Sequence, residues 1–182
     1  MSDQAVPDIV APRLKVLFCG INPGSVSGAL GQHFARPGNR FWKVLCGAGF
    51  TDRVLAPSEQ WDLLSYCLGI TNLVSRTTAA ASDLAGPELR EGAGALEGKV
   101  AALVPNHVAV LGAGAYRTAF RRPRAPIGPQ RERLAAAHLW VLPNTSGLQA
   151  SYQLPEMISL YRELSVAAGC TAATAPGAPG SA

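Results

Sequence analysis

The stretch LKVLFCGINPG, residues 14–24, decides the fold. Leu14–Cys19 is an apolar run interrupted only by Lys15, and it stops at Gly20. A strand with one wet face would alternate apolar and polar residues. A short, nearly unbroken apolar run closed by glycine reads instead as a strand covered on both faces. Outward from it the same grammar repeats. Ile70–Val74, Val108–Leu111 (closed by Gly112) and Leu139–Leu142 (closed by Pro143) read as three further strands. Between them Asn39–Ala48, Trp61–Tyr66, Glu88–Val104 and Ala115–Phe120 read as helical, with Asn39 as an N-cap. Pro155–Ala168 is the last helix, its proline at the favoured first position. Strands alternating with helices predict an α/β fold: a single domain with a central, mainly parallel four-stranded sheet flanked by helices.

At 182 residues the chain fits one domain, and with 48% apolar and 15% charged residues it can bury a core. Residues 1–12 read as a loose leader, 13–168 as the folded domain, and the small, Pro/Gly-rich residues 169–182 as a disordered tail. Residues 1–13 carry no apolar core of a signal peptide, and no run approaches a membrane span. A cytoplasmic protein with no membrane partner is expected. Of the 16 basic residues only Lys15, Lys43 and Lys99 are lysine. The arginine bias and the net charge of +4 permit a polyanionic partner without demanding one. Arg117, Arg121, Arg122, Arg124, Arg131 and Arg133 form a local basic run, either a DNA-backbone face or solvated surface.

Cofactor and metal classes fall away on spacing. Cys19, Cys46, Cys67 and Cys170 include no CxxC pair, and His33, His107 and His138 show no zinc-ligand spacing. The glycine loop at residue 20 has neither G-x-G-x-x-G nor a phosphate-loop G-K-[ST]; Gly112-Ala-Gly114 begins a dinucleotide loop but meets Arg117 where the third glycine belongs. No metal and no cofactor are expected.

In parallel sheets ligands bind in loops beyond the carboxyl ends of the strands. Two unusual loops sit there, Gly20–Gly24 and Asn144–Gly147. GINPG (20–24), HFARPGNRFW (33–42), GITNLVSRTT (69–78) and NTSGL (144–148) together resemble the mismatch-specific uracil-DNA glycosylases, and are similar to the related thymine-DNA glycosylases. The resemblance spans roughly residues 10–168. It implies a monomeric repair enzyme that extrudes uracil, with thymine or modified pyrimidines as further candidate substrates, from mispaired double-stranded DNA and hydrolyses the glycosidic bond, leaving an abasic site. A lesion-binding module of the same fold with little catalysis is the alternative. By the same resemblance Asn22 is the catalytic asparagine, Ile21, Gly24, Phe34 and Asn144 surround the base, and Ser146, Gly147, Leu148 and Gln149 meet DNA, with Leu148 as the wedge.

Elementary chemistry agrees with these roles. A stacked base is unreachable, so it must be extruded at a cost of a few kcal/mol, less for a mispair. The gap wants an apolar wedge, and a leucine in a polar glycine loop supplies one. The extruded ring wants an aromatic face, as Phe34 offers. Asn22 cannot take a proton but can hold a water against the sugar. A carboxylate would help activate that water, and Asp83 is the only acid in the stretch after the second strand. It is expected either as a second catalytic residue or as a helix cap. Asn72, at a strand end, is a further pocket candidate. The chain departs from the family pattern at Thr145, where proline is usual, and at Ala150, where arginine is usual.

Overall fold

The computed structural model describes residues 5–170. Five strands form one sheet in the order β2-β1-β3-β5-β4. They are β1 (Val16–Gly20), β2 (Leu68–Asn72), β3 (His107–Leu111), β4 (Gly128–Leu134) and β5 (Ala137–Leu142). β2, β1, β3 and β5 run parallel, while β4 pairs antiparallel with β5 at the edge. The four parallel strands are the four expected from sequence. β4 was missed because GPQRERL is charged and mostly exposed, as an edge strand is, and carries no apolar alternation.

Five α-helices connect the strands: α1 (Ser25–Leu30), α2 (Phe41–Gly47), α3 (Gly86–Leu103), α4 (Ala113–Ala119) and α5 (Leu154–Ala167), with a 3-10 segment at Pro57–Tyr66. The core is two-sided. Val16 and Phe18 of β1 point into one apolar cluster with Phe41, Leu45, Leu63 and Tyr161. Leu17 and Cys19 point into the other, with Leu89, Leu96, Val100 and Tyr116. This accounts for the unbroken apolar run that marked β1, since every residue of that strand is buried.

The chain leaves β1 for β2 on one side and then crosses to β3 on the other. β1 is therefore the point where the winding reverses, and a crevice opens above its carboxyl end.

The described part of the expected leader is not loose. Ile9 is fully buried and exchanges both backbone hydrogen bonds with Ile70 at 2.9 Å. Asp8 accepts from Thr71 at 2.8 Å and from Lys99 at 2.5 Å. The segment thus covers the free edge of β2 and satisfies its backbone. At the other end, Gly169 accepts a hydrogen bond from Lys15 Nζ at 3.0 Å, and Cys170 packs on the core. Residues 171–182 of the expected tail lie outside the described residues.

Candidate active site

A cavity of about 400 Å³ lies over the carboxyl ends of the parallel strands. Gly20, Asn72 and Leu111 line it from the ends of β1, β2 and β3, and Asn144 from the loop after β5. A slightly larger groove, about 450 Å³, runs beside β4 among Arg121, Arg122, Arg124 and Arg131. The strand-end cavity is the better site, because polar side chains from several loops converge on it. Within the basic run, Arg117 and Arg133 are engaged with the carbonyls of Ala125 and Ala136, and Arg122 with Glu132.

The floor is two loops laddered together. Leu73 N–H donates to Gly20 O (2.9 Å), Val74 N–H to Ile21 O (3.0 Å) and Thr78 N–H to Pro23 O (3.1 Å). A Cβ at Gly20 would lie 2.5 Å from Asn72 Oδ1 and 3.4 Å from the Phe34 ring, so a larger residue would push the Asn72 side chain aside.

This ladder orients Asn22. Its Nδ2 donates to Arg76 O (2.9 Å) and to Thr78 Oγ1 (2.7 Å). The Thr78 hydroxyl donates in turn to Ala80 O (2.8 Å), so toward Asn22 it can only accept. Both partners demand N–H, and the amide has one orientation. Its Oδ1 is left as an acceptor at the cavity wall.

Phe34 sits at φ +52°, a conformation a bulky residue adopts only under constraint. The constraints are visible. The preceding His33 N–H is held by Gln60 Oε1 (2.9 Å), the following Ala35 N–H by Ser27 Oγ (3.1 Å), and the ring stacks on Phe41 with centroids 4.0 Å apart. His33 is buried, with Nε2 2.8 Å from Pro7 O. Burial pushes its pKa below the ordinary imidazole value, so it is neutral near pH 7.

The third wall is residues 144–149. Asn144 Oδ1 accepts from Ser146 N–H (2.9 Å), turning the chain sharply after β5. Gly147 abuts Gly38 so closely that a Cβ would lie 2.8 Å from Gly38 O. Leu148 stands out at 75% exposure, the most exposed large apolar side chain among the described residues. Arg40, given no specific role by the sequence reading, braces the loop. Its guanidinium donates to the carbonyls of Ser146 (2.8 Å), Gln149 (2.9 Å) and Tyr152 (2.8 Å), and its N–H to Thr145 O (3.0 Å).

Of the residues expected to be functional, Ile21, Asn22, Gly24, Phe34, Asn144, Ser146, Leu148 and Gln149 all line this cavity. Gly147 lies beside them, and Asn72 joins them. Asp83 does not. Its carboxylate is exposed and accepts the Ala80 N–H (2.9 Å), closing a 3-10 turn over Ala81–Asp83. In this geometry it closes that turn as a cap and stands outside the cavity lining. Among the described residues the cavity wall contains no Asp, Glu or Lys.

A sequence model of the uracil DNA glycosylase superfamily matches residues 7–165. The chain belongs to this superfamily. Its fold is similar to the solution NMR structure of a candidate uracil DNA glycosylase from Methanosarcina acetivorans, with a TM-score of 0.59 over 90% of this chain and 99% of that one at 18% identity. The match begins at Pro7, inside the N-terminal strap that packs on β2. Among the described residues no helix is long and apolar enough to cross a membrane, and no group of three or more His, Cys, Asp or Glu converges as a metal site.

Proposed function

We propose that this chain is a monofunctional DNA glycosylase that takes uracil out of mispaired double-stranded DNA, hydrolyses its N-glycosidic bond and leaves an intact abasic site. The observation that carries the reading is the fixed amide of Asn22, whose Oδ1 is presented to a cavity lined by an aromatic ring and an exposed leucine.

The chemistry follows from those groups. Leu148 enters the duplex and occupies the space of the extruded base, where stacking otherwise resists the opening. The base lies against Phe34, whose other face is covered by Phe41. As the glycosidic bond lengthens, positive charge grows on the sugar and negative charge on the base. Backbone N–H groups of the Gly20–Gly24 loop stabilise the departing base. Asn22 Oδ1 accepts a hydrogen bond from the attacking water and aims its lone pair at the sugar carbon. With no carboxylate on the wall among the described residues, the water is positioned rather than deprotonated in advance. Catalysis therefore relies on departure of the base, and turnover is slow. Among the described residues no lysine amine is on the wall to attack the sugar, which favours hydrolysis over strand cleavage.

The deciding experiment incubates the protein with a U·G duplex and then with alkali to cut abasic sites. Free uracil from the wild type, and a loss of about a hundredfold or more in Asn22→Ala, are expected. Tight binding of the duplex without release of uracil would replace this reading with that of a lesion-binding module. A borohydride-trapped protein–DNA adduct would refute the monofunctional mechanism.

A further inference from the structure

Arg36 is the one formally charged side chain on the cavity wall among the described residues. It is exposed, and its guanidinium makes no hydrogen bond or ion pair with any described residue. The backbone beneath it is rigid. Ala35-Arg36-Pro37-Gly38-Asn39 forms a turn in which Asn39 N–H donates to Arg36 O at 3.0 Å. Pro37 holds the second position, and Gly38, at φ +87°, takes the left-handed third position. Asn39 then binds the Phe41 N–H through Oδ1 (3.0 Å), joining the turn to α2, and Gly38 is wedged against Gly147. A free cation is thus mounted on a fixed turn that abuts, through Gly38 and Gly147, the loop carrying Leu148.

The remaining polar groups of the wall are amides, hydroxyls and a neutral imidazole. Such a cavity is complementary to an occupant with a neutral polar ring and one negative charge at its mouth. A free base has no such charge; a nucleotide still joined to its strand does.

Resting on the glycosylase reading, we propose that Arg36 grips a phosphodiester of the extruded nucleotide, one of the two flanking the target sugar, and is thereby a substrate-positioning residue. The planar guanidinium suits two non-bridging phosphate oxygens at once, which lysine cannot reproduce. The contact forms only when the nucleotide has left the stack, so it favours the extruded state over the paired one.

The test uses the full chain with duplexes carrying a single uracil, and pairs a protein change with a substrate change. Arg36→Gln should raise KM about fivefold to tenfold, with turnover largely recovered at saturating DNA, and should lower the salt slope of binding by about one. Arg36→Lys should recover part of the loss. A neutral methylphosphonate in place of one of the two flanking phosphates should weaken wild-type binding to the level of Arg36→Gln and add nothing to that variant. Independent, additive losses at both flanking positions would overturn the proposal, as would an unchanged KM and salt slope in Arg36→Gln. Because Arg36 is exposed, melting temperature should not move. Binding by fluorescence anisotropy decides the contact even if no uracil is released, so a failure of the glycosylase reading and a failure of this one are told apart.

Discussion

At the scale of single residues, an amide on the cavity wall and a carboxylate beside it each have partners that leave them one orientation. Asn22 donates twice and keeps its acceptor for the cavity. Asp83 has given its carboxylate to the Ala80 N–H, at the end of a relay that runs from Asn22 through the Thr78 hydroxyl to Ala80 O. Asparagine caps about as well as aspartate, so Asp83→Asn should retain uracil release within about threefold. A fall of two orders of magnitude at unchanged melting temperature would restore it to catalysis. Leu148 lies outside the folded core, being 75% exposed. Leu148→Ala should therefore leave stability unchanged within about 0.5 kcal/mol while slowing release from paired duplex far more than from a substrate whose uracil is already unstacked. Equal losses on the two substrates would deny it the wedge. Both expectations concern residues that sequence singled out. Resemblance marked Leu148, whereas the hydrogen bond that Asp83 accepts from Ala80 is visible only from where its oxygens point.

Between elements, Arg40 is the main tie. It belongs to the start of α2, yet its guanidinium holds three carbonyls beyond β5, so the loop that carries Leu148 is anchored to a helix more than a hundred residues away in sequence. In Arg40→Met the Ser146, Gln149 and Tyr152 carbonyls lose a charged donor. Unfolding free energy should fall by about 2–3 kcal/mol, and uracil release from paired duplex should fall with it. Denaturant titration alongside the release assay checks this; stability and release both at wild-type level would show the brace to be dispensable. In the run NRFW the local signal is the Asn39 cap alone, since an arginine's partners on a distant loop leave no local periodic mark. β4 escaped notice for a related reason. An edge strand has little apolar patterning of its own, and only its pairing with β5 makes GPQRERL extended.

Across the whole molecule, the N-terminal strap joins the far edge of the sheet to the cavity. Ile9 pairs with Ile70, Asp8 binds Thr71 and Lys99, and Pro7 O meets His33 behind the wall. His33 and His107 are both held below the ordinary imidazole pKa, chiefly by burial. The unfolded chain therefore takes up these protons first as pH falls, and stability present above about pH 6.5 is lost below it. Melting temperature should decline from about pH 7 to pH 5, and His33→Gln should flatten part of that decline. A profile that is flat in the wild type, or equally steep in the variant, would remove His33 from the linkage. The sequence by itself determined the parallel strands, because strands buried on both faces must be apolar throughout, and it marked the cavity loops, because glycine, proline and asparagine at strand ends are local signals. Tertiary structure alone decided which way the Asn22 amide faces, that Asp83 caps a turn, that Arg40 braces the Leu148 loop and that residues 6–9 form a strap. Each of these depends on a partner distant in sequence or on the direction of a side chain, and neither is written in local spacing.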